Sequence, residues 1–208
     1  MPVIQGTVGP QSAKIVDGAP ANGRFGQQSD LIVSELHGPL YEAALRQTLF
    51  NGANIAAQAT TVALATTYTG LCLSNPVGNT KNLVLLEVAF ALSVAPAAIA
   101  SIGLAIGYNA STSVTHTTPI TMTAMNNNFV GVGGIPTGKL DSSATLPTAP
   151  LWVKQLYGGF TAAALPASPA CPVDLKGRYI LVPGAYAIIA SLTAVTGLGS
   201  FEWAEEPV

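Results

Sequence analysis

Two long stretches of this chain carry no charge. From Gln47 to Thr80 there is no Lys, Arg, Asp or Glu. The same holds from Val88 to Gly138, where His116 is the only side chain that titrates near neutrality. A soluble monomer ordinarily keeps its copies apart with surface charge. A chain that drops charge over such lengths belongs either in a membrane or in an assembly that covers much of its surface. Charged residues make up 9% of the 208 residues, against roughly 25% in an ordinary soluble domain.

The membrane alternative is tested at residues 83–108, LVLLEVAFALSVAPAAIASIGLAIGY. The run is long enough to span a bilayer. It is interrupted by Glu87, Pro96 and Gly103, is rich in Ala and Ser, and lacks a flanking Lys/Arg cluster to set orientation. Two buried strands, 83–94 and 98–108, joined at Ala95-Pro96-Ala97, are the better reading, and no membrane partner is expected. The opening residues MPVIQGTVGPQSAK have neither a charged n-region nor an apolar h-region, so no signal peptide is expected and synthesis is placed in a cytoplasm. Eight Lys and Arg against ten Asp and Glu provide no basic surface for a phosphate backbone, so no nucleic-acid partner is expected. Two cysteines, Cys72 and Cys171, do not make a disulfide scaffold. Cys72 reads as a buried small residue, and both are expected as free thiols.

Residues 1–29 are rich in Gly, Gln and Pro and keep no hydrophobic period, which predicts an extended N-terminal arm, with residues 30–208 as the folded domain. LIVSEL (31–36) predicts a short strand. PLYEAALRQT (39–48) predicts one short helix, with Pro39 in its first turn and Glu42 and Arg46 spaced i, i+4. From residue 60 the texture turns to β. TTVALATTYTGLCLSN alternates, Asn75 to Asn79 has turn chemistry, and NLVLLEVAFALSV reads as a strand covered on both sides. NASTSVTHTTP predicts a loop, ITMTAM (120–125) a half-buried strand, and FVGV a short strand within a loop-rich stretch. Residues 151–165 predict a strand pair or a strand bulged at Gly158-Gly159, PASPACPVD a rigid connection, and 178–182 and 185–195 two strands around Val182-Pro183-Gly184. In the closing LGSFEWAEEPV, Phe201 and Trp203 point one way and Glu202 the other. Eight or nine short strands with frequent Gly/Pro turns and no fixed repeat predict an all-β chain, a β-sandwich of jelly-roll type.

Motifs for chemistry are weak. Gly133-Gly134-Ile135-Pro136-Thr137-Gly138-Lys139-Leu140 approaches the phosphate loop, but Leu140 replaces the magnesium-binding hydroxyl and Pro136 removes an N–H donor. A turn with a solvated lysine is the expectation. Glu35 and His37 would share one face of a strand, as a general base would need, yet no nucleophile accompanies them. His116 has no second ligand nearby in sequence and reads as a loop histidine. Glu202, Glu205 and Glu206 read as an acidic tail that is solvated or docks on a neighbour. Trp152, Tyr157 and Phe160, with Lys154, could form a sugar platform, but such aromatics more often serve as core or interface anchors. The triplet Asn109-Ala110-Ser111 means little without a signal peptide. No catalytic residue, cofactor or metal ligand is assigned.

Three blocks carry a resemblance: SDLIVSELHGPLYEAALRQTLF, GLCLSNPVGNTKNLVLLEV and LVPGAYAIIASLTAVTGLGSFEWAEEPV. Within them, Ile32 to Gly38 with Tyr41-Glu42, Leu73 with Asn75-Pro76, Lys81 to Leu86, Pro183-Gly184 and Phe201 to Val208 resemble small virion structural proteins of tailed bacteriophages. The resemblance implies a non-enzymatic head component, a decoration (cement) protein on the capsid surface. It implies the major capsid protein as partner and, by analogy with the threefold positions of a capsid lattice, a homotrimer. A tail, neck or fibre-base protein, with or without host-glycan binding, is the alternative. Low charge and small residues suit close packing over large contacts. The interface candidates are Ile4, Val8, Ile15 and Phe25 in the arm, then Glu35, His37, Tyr41, Trp152, Tyr157, Phe201 and Trp203.

Overall fold

In a computed structural model, the structure describes residues 40–96, 98, 100–159 and 171–208. The arm 1–29, the 31–36 strand, the Glu35/His37 pair and Phe160 fall outside them. Residues 42–208 form a compact unit of their own. The predicted helix is present but shorter, α1 at Tyr41–Leu45. Eleven strands follow among the described residues. They are β1 (Leu49–Ala53), β2 (Gln58–Ala59), β3 (Thr67–Ser74), β4 (Lys81–Leu92), β5 (Ala100–Tyr108), β6 (Thr115–Ile120), β7 (Lys139–Thr145), β8 (Leu151–Gly159), β9 (Cys171–Leu181), β10 (Ala185–Ser191) and β11 (Thr196–Pro207).

The strands make two antiparallel sheets. The first runs β1-β11-β4-β9, with β2 beside β11, and the second runs β6-β7-β3-β10-β5-β8. Four of the pairs are nested along the chain: β5 with β8, β4 with β9, β3 with β10 and β1 with β11. They fall alternately in the second and the first sheet. A long double ribbon rolled around a core has this pattern, which is the jelly roll expected from the sequence. The β6–β7 hairpin is inserted at the ribbon's turn, between β5 and β8, and lies against β3 at the edge of the second sheet. The apolar run 83–108 is two strands in opposite sheets. Among the described residues no helix is long and apolar enough to cross a membrane.

The main core lies between the sheets and includes Leu73, Leu83, Leu85, Ile102, Leu104, Phe201 and Trp203. β4 fills it with Leu83, Leu85, Val88 and Phe90, so the inward phase changes from odd to even positions. The cause is an irregularity at Leu86: Trp203 pairs with Leu85 and Glu202 with Glu87. The expectation of a strand covered on both sides is corrected here, since the outer positions of β4 are only half-buried. The strand that is covered on both sides is β10. Ala185, Ala187 and Ile189 face the main core, while Tyr186, Ile188 and Ala190 join a second cluster on the other face. Leu64, Val114 and Leu146, from loops flanking the strands, cover that cluster. Close approach of the rings requires glycine beneath them: a Cβ on Gly107 would lie 2.1 Å from the Tyr186 hydroxyl.

Several local expectations are corrected. Of the strand expected over 120–125 only Ile120 is in a strand, as the end of β6, because Thr123 starts a 3-10 turn over Ala124–Asn126. Its Oγ1 accepts from the Met125 N–H, and the Asn126 side chain accepts from the Thr123 N–H. FVGV is a turn, and the supposed loop 109–119 contributes most of β6. KLDSS, the end of the loop-rich stretch, belongs to β7. The connection PASPACPVD gives way to strand at Cys171; Pro172 is accommodated because β9 is the edge of its sheet. The strand expected over 185–195 ends at Ser191.

Candidate functional site

The turn after β3, the start of β4, the loop before β7 and the end of β11 meet in one polar network. Glu205 sits at its centre with no exposed side-chain surface. Its Oε1 accepts from the backbone N–H groups of Thr137 (2.7 Å) and Gly138 (3.0 Å), with the Trp203 indole N–H at 3.5 Å. Its Oε2 accepts from the Thr137 hydroxyl at 2.8 Å and from Lys81 Nζ at 3.1 Å. The Thr137 hydroxyl in turn accepts from the Asn79 amide, which also donates to Asn75 Oδ1. Asn75, 1% exposed, donates to the carbonyls of Lys81 and Leu181. Its backbone exchanges hydrogen bonds with the Pro183-Gly184-Ala185 turn, accepting from Gly184 and donating to Ala185.

This geometry corrects one expectation. Glu205 is not part of a solvated acidic tail, because its carboxylate accepts from donors that would otherwise lack partners. The Gly133–Lys139 segment is the turn expected, and its adjacent Thr137 and Gly138 N–H groups face the chain's own Glu205. Lys139 is exposed and opens β7. Asn75, Lys81, Gly184 and Glu205 all come from the second and third of the three sequence blocks quoted above. Those two blocks therefore converge on closure of the fold.

A second polar clamp holds the loop before β7. Asn126 donates to the Asn51 carbonyl, Asn127 to the carbonyls of Gln47 and Gly134, and Asn128 to Glu202. The backbone of Asn128 donates to Leu49, which extends the β1 edge. Beyond this base, Phe129, Val130, Val132 and Ile135 are exposed on one uncharged turn.

The remaining candidates are distributed widely. Phe201 and Trp203, 1% and 0% exposed, belong to the chain's own core and are not interface anchors. Trp203 stacks on Phe50 with ring centroids 6.1 Å apart. Tyr41 is exposed on α1. Trp152 is half-buried against the second cluster, lying over Gly103, where a Cβ would fall 2.2 Å from its ring. Tyr157 pairs with Ile102 through its backbone, and its side chain lies outside the description, as do Ile4, Val8, Ile15, Phe25, Glu35 and His37.

Sequence reasoning missed the pair His116–Asp141. His116 Nδ1 lies 2.7 Å from Asp141 Oδ2. Asp141 has no exposed surface and its Oδ1 has no hydrogen-bond partner. Burial pushes the Asp141 carboxyl above its usual range, and the hydrogen bond and charge of His116 draw it back down. A signal for the pair was absent because β6 and β7 were read as loop. Cys72, the register partner of Asp141 on β3, is a fully buried free thiol, pushed well upward by burial and then by the Asp141 charge. Its reaction with an Ellman-type disulfide reagent is expected to be complete only after denaturation. Rapid reaction of Cys72 in the native protein, located by peptide mapping, would contradict this burial. Among the described residues no group of three or more His, Cys, Asp or Glu is placed to hold a metal ion.

Against protein-family models, curated proteins and solved structures alike, the chain has no significant match.

Proposed function

We propose that this chain is a structural protein of a tailed-bacteriophage virion, acting as a decoration protein that binds the major capsid protein lattice on the capsid surface and stabilises the head. The observation that carries the reading is an exterior poor in charge with large apolar side chains in the open. Ile55 is 92% exposed, Leu151 72% and Val132 68%, and the Phe129–Ile135 turn groups several such residues on a clamped base. Scattered apolar residues are normal on any surface. A contiguous uncharged turn held by three asparagines is better suited to burial against a partner. The jelly roll supports the reading as a fold common among capsid and lectin domains, which is an analogy of fold only. A homotrimer matched to threefold lattice positions is part of the proposal, and no catalytic role is included in it.

Quantitative peptide mass spectrometry of purified particles tests it. A copy number equal to that of the major shell protein, or one-third of it, is the expected result. A ratio many times smaller moves the chain to the tail, neck or fibre base. Absence from the particle overturns the virion reading.

A further inference from the structure

β6 lies outside the four nested pairs and joins the fold through β7. Thr115 to Pro119 are exposed, and only Ile120 is half-buried against the core. Its pairing with β7 is interrupted twice, between His116 and Thr118 and between Thr118 and Pro119. Few apolar contacts and a broken ladder make such a strand a low-stability element that opens locally. One polar side chain reaches from it into the sheet, and that is His116 on the buried Asp141. A carboxylate without exposed surface, with one oxygen unpartnered, is costly to keep charged.

The groups around Asp141 are few. β6 contributes His116, β3 contributes Cys72, and Tyr68 and Tyr186 belong to the same outer cluster. Burial pushes the Cys72 thiol and both phenols upward, so all three stay neutral at and below neutral pH. On β7 itself, Lys139 is exposed two residues away. His116 is the group whose charge acts on Asp141.

We propose that His116 and Asp141 form a proton-operated latch that fastens β6 onto β7 as the pH falls. A proton on Asp141 removes the buried charge and leaves a hydrogen bond from the carboxyl to His116 Nδ1. That change favours the docked strand, which holds the carboxyl out of water. With β6 lifted away, Asp141 meets water and returns to the ordinary carboxylate range. The direction of the Asp141 shift agrees. An acid raised in the docked state adds stability that is complete below its ordinary pKa of 3.8 and is lost as the pH rises through the raised value. This inference does not rest on the virion reading.

Hydrogen–deuterium exchange of the full chain tests it, with each rate corrected for the intrinsic pH dependence of exchange. Protection of the 115–120 amides is expected to rise severalfold as the pH falls from 7.5 to below 3.8, the ordinary pKa of the carboxyl. Amides of β10 serve as the reference for global opening. Asp141→Asn should abolish the rise while leaving β10 protected, and His116→Gln, which removes the group that draws Asp141 down, should move the rise to higher pH. A flat profile for 115–120 in the unmodified chain overturns the latch. So does an unchanged rise in Asp141→Asn, or a rise moved to lower pH in His116→Gln.

Discussion

Glu205→Ala is expected to lower the unfolding free energy by about 3–5 kcal/mol, because it leaves the buried N–H of Gly138 and the half-buried N–H and hydroxyl of Thr137 without their acceptor, at roughly 1–3 kcal/mol for a buried orphan and toward the lower end for the half-buried ones. In a unit of this size that corresponds to a Tm lower by roughly 2–4 °C for each kcal/mol. Glu205→Gln should fall between, near about 2 kcal/mol, since the amide keeps one oxygen for the backbone donors but turns an NH2 toward Lys81 and Thr137. Lys81→Ala should cost less than about 1 kcal/mol: its side chain is 37% exposed, and solvent screens such a pair. Urea denaturation of the three variants gives the order directly. If Glu205→Ala cost no more than Lys81→Ala, the carboxylate would be a solvated tail after all, and the network centred on it would carry no weight in the fold.

That network shows where sequence reasoning succeeds and where it stops. The turn at Asn75–Asn79 and the strands on either side of it were legible, because turn residues and apolar runs are local signals. The partners were not. Thr137 stands 68 positions from Glu205, and nothing in GGIPTGK says that the anion it cradles comes from the chain's own last strand. An acid near the end of a sequence reads as solvated unless its donors are seen. The same limit hid β6 and β7. THTTPI and KLDSSAT have little apolar alternation, since β6 is an exposed edge and β7 buries Asp141 and Ser142 among its neighbours. The Asn126–Asn128 run looks like loop composition, yet its amides bond to Asn51 in β1, to Gln47 before it and to Glu202 in β11. The two-sheet architecture was the most readable level, because many short strands with Gly/Pro punctuation leave few alternatives. The nested pairing that makes it a jelly roll is written in contacts between distant strands.

Trp203 decides between a core and an interface meaning for the final strand. As an interface anchor its loss would spare the monomer and weaken assembly. The structure predicts the opposite for Trp203→Ala. The indole is fully buried on the central β11, stacked on Phe50, with its N–H directed at Glu205 and with Gly138 packed close to its Nε1. Removing it leaves a cavity between the sheets at a cost of about 3–5 kcal/mol, a large part of the roughly 5–15 kcal/mol that holds a domain together. Trp203→Phe should recover much of this by refilling the space, while still losing the N–H contact. Urea denaturation reports stability, and sedimentation velocity at a concentration where the folded fraction is known reports assembly. A drop in stability that accounts for the whole change in sedimentation confirms the core role. Unchanged stability with lost association would return Trp203 to the surface, and with it the expectation that Phe201 and Trp203 anchor an interface between molecules.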